Sequence, residues 1–160
     1  MPFTLLPSDF YPLNPDNASY LNTDAISLLG PGNSLITGGG AASAIDKVIQ
    51  HNGYPETVTI SNYTVQGAGK LYRSCGDCTN NGGPRHVIVQ NVRVSGMTSD
   101  LVGINSNYGD TASVSGSCGV SKKVCQEYKG VKKGEGKSEK VDGTGKCGGA
   151  QGGLSKLPAC

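Results

Sequence analysis

The apolar residues of this chain fall in short β-type runs rather than in helical stripes. Between residues 23 and 118 these runs recur at intervals of roughly 22 to 30 residues, a spacing too regular for unrelated strands. The clearest pair is Val58-Thr59-Ile60-Ser61-Asn62-Tyr63-Thr64-Val65 and Val87-Ile88-Val89-Gln90-Asn91-Val92-Arg93-Val94. At an offset of 29 the two share apolar first and third positions, Asn at the fifth and Val at the eighth. Ser34-Leu35-Ile36-Thr37 begins a similar run, and Thr111-Ala112-Ser113-Val114-Ser115 is a weaker copy. A second series interleaves with the first: Asp24-Ala25-Ile26-Ser27-Leu28, Lys47-Val48-Ile49-Gln50, Lys70-Leu71-Tyr72-Arg73 and Leu101-Val102-Gly103-Ile104.

Two strand series at one repeat length predict a coiled parallel solenoid. One coil alone cannot bury its apolar residues, but stacked coils close a narrow core. A recurring Asn suits a turn of left-handed geometry whose side chain stacks on the next coil. An Asn held in such a turn is not expected to carry glycan, although Asn62-Tyr63-Thr64 reads as a sequon. The competing fold is an antiparallel β-sandwich with hairpin turns, for which Asn52-Gly53 and Asn81-Gly82 are candidates.

Composition agrees with strands and tight turns. Of 160 residues, 25 are Gly, 2 are Phe and none is Trp, so the core is expected from Val, Ile, Leu, Ala and Ser. The organisation predicted is an irregular segment 1–22, a β-solenoid 23–120 and a basic, Gly-rich, Cys-containing tail 121–160. Pro2, Pro7, Pro12 and Pro15 interrupt the first segment. The tail shows no hydrophobic period and is expected to be solvated and mobile.

Net charge sharpens this division. Residues 1–120 hold five Lys or Arg against eight Asp or Glu, whereas 121–160 hold nine against four. The tail could pre-concentrate a polyanion or simply be solvated; without interleaved aromatics it does not point to nucleic acid. Six cysteines, Cys75, Cys78, Cys118, Cys125, Cys147 and Cys160, favour disulfides and an oxidising compartment over zinc, since His51 and His86 lie outside any cluster. Fifteen pairings are open, Cys118 with Cys125 being a plausible local one. The start, Met1 to Pro7, has no secretory leader pattern, so a secreted protein is expected to lack its true beginning here. No apolar run is long enough for a transmembrane helix, and Asn17-Ala18-Ser19 would be a glycan acceptor only in a secreted chain.

Candidate chemistry centres on Gly69-Lys70-Leu71-Tyr72-Arg73-Ser74-Cys75-Gly76-Asp77-Cys78. Two cations three residues apart beside a tight Cys-x-x-Cys turn suit an anionic ligand; the alternative is a surface Lys and Arg on an edge strand. One repeat upstream, Asp46-Lys47-Val48-Ile49-Gln50-His51-Asn52-Gly53 supplies another Lys. With Val102-Gly103-Ile104-Asn105-Ser106-Asn107-Tyr108-Gly109-Asp110, these stretches closely resemble the short secreted pectate lyases of polysaccharide lyase family three, over about residues 20 to 130.

The resemblance implies an all-β, right-handed parallel β-helix and calcium-dependent eliminative cleavage of de-esterified pectin outside the cell. The partner implied is polygalacturonate, bound by a monomer, with neither nucleic acid nor membrane. Carried over by position, Asp24 matches a calcium-binding acid. Lys47 and Lys70 match cations that hold substrate carboxylates, Lys47 also stabilising the developing charge. Arg73 matches the proton abstractor. Asp24, Lys47 and Lys70 lie 23 residues apart in turn, so one coil per step would stack them in a column. Two departures stand out: Thr23-Asp24 replaces an adjacent acid pair, and the family's upstream acidic coils have no counterpart in residues 1–20. A non-catalytic β-helix that binds pectin or another partner is therefore the second expectation.

Overall fold

A computed structural model describes residues 3–5 as backbone and residues 24–119, 122–143 and 145–160 in full. The Asn17 sequon and Thr23 lie outside the described residues. Three sheets wind about one core. The back sheet runs β1 (Phe3–Leu5), β3 (Gly32–Thr37), β6 (Glu56–Ser61), β9 (Arg85–Gln90), β12 (Thr111–Ser115) and β16 (Cys147–Gly148). The short sheet runs β4 (Gly40–Ala42), β7 (Thr64–Gln66), β10 (Arg93–Ser95) and β13 (Cys118–Gly119). The site sheet runs β2 (Ile26–Leu28), β5 (Lys47–His51), β8 (Lys70–Ser74), β11 (Val102–Asn105), β14 (Cys125–Lys129) and β15 (Glu139–Lys140). All described pairings are parallel except β14 with β15. This is a parallel β-helix, and the hairpin sandwich is excluded because consecutive strands from β1 to β14 lie in different sheets.

The offset of 29 read from the sequence is the actual register: Val58 pairs with Val87 and Val65 with Val94. What the sequence pattern merged into one run is two strands in two sheets, because the chain bends at the recurring Asn. Gly38, Asn62, Asn91 and Gly116 follow paired residues in successive coils and take φ of 71°, 52°, 54° and 59°. A Cβ on Gly116 would come 2.3 Å from Asn91 Oδ1, so the Asn91 amide lies directly on the coil that follows. Asn tolerates this left-handed conformation, where most L-residues are strained by roughly 1–2 kcal/mol. Asn91→Ala is accordingly expected to lower stability by about 1 kcal/mol, read as a shift of the denaturant midpoint without change of slope.

Alternation then builds the core. Val58, Ile60, Val65, Val89, Leu71, Val102, Ile104 and Val114 are fully buried between the sheets. Each such side chain contributes about 1.5–3 kcal/mol of burial energy. Coil length varies where a loop is inserted. Tyr72 pairs with Val102, a longer step than Ile26 to Ile49, because residues 75–84 loop out between β8 and β9.

Two expectations require correction. Residues 3–5 of the supposedly irregular N-terminal segment form β1 against the edge of β3. More important, the segment after residue 120 is not a mobile tail: β14 joins the site sheet in register with β11, with Val124 and Cys125 fully buried. The missing hydrophobic period has a physical cause. Two further buried residues of β14 are polar but partnered: Gln126 donates to the carbonyls of Glu127 and Val141, and Glu127 accepts from the Lys146 amide. Cysteine pairing differs as well. Cys125 bonds Cys147 and Cys118 bonds Cys160, stapling the last coils, while Cys75 bonds Cys78 within one turn. Cys118 and Cys125 are each bonded to another partner, so the local pairing does not form.

Candidate functional site

The site sheet stacks one position of every coil into a row. Lys47 pairs with Lys70, and extending the registers by two residues from Ile26↔Ile49 and Tyr72↔Val102 places Asp24 before Lys47 and Asp100 after Lys70. The expected column of Asp24, Lys47 and Lys70 is therefore present. Lys47 Nζ lies 3.6 Å from Asp24 Oδ1 and also contacts Asp46 Oδ2. Lys70 Nζ donates to Ser99 Oγ at 2.6 Å and to Asp100 Oδ2 at 3.0 Å. Asp100 Oδ2 further accepts from the Tyr128 hydroxyl at 3.2 Å, and Lys140 Nζ lies 3.3 Å away.

Arg73 stands three residues beyond Lys70 on β8. Its guanidinium is 5% exposed and lies 3.9 Å from the centre of the Tyr128 ring. Nη1 donates to Asn105 Oδ1 and Nη2 to Ser138 Oγ, both at 2.9 Å. No ion pair among the described residues includes Arg73. Lys70 Nζ sits 5.7 Å from the same Tyr128 ring, so the structure brings all four sequence-predicted residues to one face, with both β8 cations on one aromatic.

Burial and charge tune these groups. Burial raises the Asp24 carboxyl, opposed by Lys47. Burial pulls Lys70 below the usual lysine range despite Asp100. For Asp100 burial pushes upward, but its hydrogen bond and charge contact with Lys70, aided by Lys140, leave the net shift downward. The Tyr128 phenol is pushed up to about 12 by burial and then by Asp100, so it is a hydroxyl donor at neutral pH. Burial also lowers Arg73, offset in part by Tyr128 and Asp110; losing water with no carboxylate among the described residues in direct contact disfavours the charged guanidinium.

The row is electrically polar. Two carboxylates, Asp24 and Asp46, meet the single ammonium of Lys47 at one end. At the other, Lys70 and Lys140 share Asp100 while Arg73 has no counter-ion among the described residues. The negative end offers hard oxygen donors of the kind calcium takes, but calcium uses about six to eight of them. Among the described residues no group of three acidic, His or Cys side chains gathers at one point. Asp24 and Asp46 thus fit calcium in kind and would supply only part of its shell.

Asp100, Tyr128, Lys140, Asn105, Ser138 and Gly103 were not singled out by sequence reasoning. Asp100 had a signal: it stands two residues before Val102, as Asp24, Lys47 and Lys70 stand two before Ile26, Ile49 and Tyr72. Tyr128, Ser138 and Lys140 had none, since they belong to the segment read as a tail.

Comparison with known proteins agrees with this fold. Residues 19–135 match the family model described as Pectate lyase. The chain is 49% identical over 124 residues to "Probable pectate lyase E" of Neosartorya fischeri, covering 76% of this chain and 47% of that protein. To "Pectate lyase H" of Emericella nidulans it is 51% identical over 122 residues, 74% and 45% respectively. The chain spans about half the length of the curated relatives it matches. Among solved structures, the catalytic domain of pectate lyase PelI from Erwinia chrysanthemi superposes with TM-score 0.70 at 34% identity, over 83% of this chain and 74% of that one. PelI in complex with tetragalacturonic acid gives TM-score 0.68 at 42% identity, over 78% and 46%. With fold, register and the match over residues 19–135 all in agreement, the chain belongs to the pectate lyase family.

Proposed function

We propose that this chain cleaves polygalacturonate by β-elimination outside the cell. The observation that carries the reading is the placement of Arg73, buried and without a counter-ion, beside the ammonium row of Lys47 and Lys70. Elimination removes the proton on the carbon next to the uronate carboxylate. Its C–H electron pair becomes a C=C bond, the glycosidic C–O bond breaks, and the departing oxygen takes a proton from solvent. Arg73 takes the proton, directly or through a hydroxide it orients. Lys47 and Lys70 hold uronate carboxylates and stabilise the charge that builds there more than the charge of the ground state. Asp24, with Asp46 beside it, would hold calcium together with substrate oxygens and water. When bound, calcium would neutralise the carboxylate and acidify its neighbouring C–H. Three disulfides support an extracellular setting.

The test is direct. Purified protein incubated with polygalacturonate and calcium is expected to gain the ultraviolet absorbance of an unsaturated uronate and to lose that gain with a chelator. Lys47→Ala is expected to weaken pectate binding by about tenfold or more, the scale of one charge-assisted contact. A folded sample with no product at any calcium level would remove the catalytic reading. The second reading, a β-helix that binds pectate without cleaving it, draws on the two-carboxylate calcium end. Binding retained without product, and lost in Lys47→Ala, would favour it.

A further inference from the structure

Arg73 reaches Tyr128 by an unusual route. β8, β11 and β14 are successive strands of the site sheet, so the Arg73 side chain must cross β11 to meet a residue of β14. Two strand spacings amount to about 10 Å, a gap closed by the long Arg73 side chain from one side and the Tyr128 ring from the other. It crosses at Gly103, its own register partner. A Cβ on Gly103 would stand 2.8 Å from Arg73 Cδ and 3.0 Å from Tyr128 Cε2. Gly103 is not in the left-handed region, so its backbone does not demand glycine; the crossing side chain does. On the other side Gly76 is equally tight: a Cβ there would lie 3.0 Å from Arg73 Nη2 and 2.8 Å from the Ser138 Cβ.

The walls of this space share one property: none is a carboxylate. The ring face of Tyr128, the amide of Asn105, the hydroxyl of Ser138 and two glycines enclose the guanidinium. An acid in the same place would pin Arg73 in its charged form. Tyr128 has a second task. Its hydroxyl donates to Asp100, which in turn holds Lys70, so one side chain fixes both cations relative to each other.

We propose that Gly103 and Tyr128 are positioning residues for the elimination, forming a flat slot that lays the Arg73 guanidinium across the site sheet beside Lys70 without giving it a counter-ion. This rests on the functional reading above, and the test separates the two. Gly103→Ala is expected to lower kcat on polygalacturonate with calcium by about ten- to a hundredfold, the scale of a displacement near 1 Å, with KM within about twofold; Tyr128→Leu is expected to lower kcat as much and, lacking the hydroxyl that holds Asp100, to raise KM as well. Tyr128→Phe keeps the ring and is expected to hold kcat within about fivefold of the parent, while loosening Lys70 through Asp100 and raising KM. With the ring removed, the guanidinium loses both its cover from water and the Tyr128 contact that favours its charge, so the alkaline rise of activity in Tyr128→Leu is displaced in pH from that of the parent. Thermal midpoints establish that each variant is folded; should Gly103→Ala not fold, the Tyr128 pair carries the comparison.

A readout independent of activity is the side-chain Nε–Hε NMR signal of Arg73, one of only three arginines with Arg85 and Arg93. Tyr128→Leu is expected to move it through loss of the ring current and leave the Arg93 signal in place. If the parent protein has no lyase activity, the functional reading fails and the NMR experiment still tests the slot. Folded Gly103→Ala and Tyr128→Leu with parental kcat and pH profile, or an Arg73 signal unmoved by Tyr128→Leu, would overturn the proposal.

Discussion

Arg73→Ala is expected to reduce elimination of polygalacturonate by roughly a hundred- to ten-thousandfold, the range that a positioned proton acceptor contributes. The protein should stay folded. Arg73 makes no ion pair among the described residues, and truncation leaves only Asn105 and Ser138 without their partner, at a cost of about 1–3 kcal/mol each if both stay dry. Arg73→Lys separates two roles. Were Arg73 only a carboxylate clamp, an ammonium would recover much of the rate. As a proton acceptor in a planar slot it would not, because lysine has neither the flat face that rests on Tyr128 nor two nitrogens to meet Asn105 and Ser138. The pH dependence has a definite sign. A proton must leave Arg73 before it accepts another, and burial holds its pKa below the ordinary arginine range. Activity should therefore climb with pH on the alkaline side, by about tenfold per unit until it levels. A rate in Arg73→Lys within a few fold of the parent would remove Arg73 from the chemical step.

The largest loss of stability is expected at Arg85, which takes no part in the proposed chemistry. It is a fully buried, very large side chain at the start of β9. Its guanidinium donates to the carbonyls of Asn52 at 2.7 Å, Gly53 at 3.1 Å and Gly82 at 2.6 Å, and to Asn81 Oδ1 at 3.0 Å. Those acceptors belong to the β5–β6 and β8–β9 connections of adjacent coils, so Arg85 is the tie between them. The Arg85 amide itself donates to Asp110 Oδ1 at 2.8 Å, while Asp110 Oδ2 accepts from the amide of Asn105, the residue that holds Arg73. Arg85→Met fills most of the volume but takes the side-chain donor from the carbonyls of Asn52, Gly53 and Gly82, each costing about 1–3 kcal/mol when it stays buried, while Asn81 Oδ1 keeps the Gly82 amide. With partial rehydration a total near 3–5 kcal/mol is expected, or a fall of about 10 °C in thermal midpoint for a chain of this size. A midpoint shift of only one or two degrees would mean that water replaces Arg85 easily and that the tie is not structural.

The two arginines also show why one part of the site was legible and another was not. Lys47, Lys70 and Asp24 are found by counting, because a parallel coil converts equal spacing into a column. Arg73 follows from its place in the Gly69–Cys78 stretch. Asp100 obeys the same count once the longer loop 75–84 is allowed for, and was passed over because that loop changes the step. Tyr128 obeys no count that can be read: β14 has a polar, disulfide-bonded inward face, and its hydrophobic pattern is nearly absent. The same holds for Lys140, which reaches Asp100 from the antiparallel strand β15.

The amino-acid order alone determined the repeat, the parallel stacking of coils, the recurring Asn turn and the row of Asp24, Lys47 and Lys70, since each depends on periods shorter than one coil or equal to it. Tertiary structure alone decided which cysteines meet, that residues after 120 complete the site sheet, and that a tyrosine two strands away becomes the bed for Arg73. Those outcomes depend on which polar groups satisfy one another once water is excluded, a condition set by three-dimensional neighbours and not by spacing along the chain.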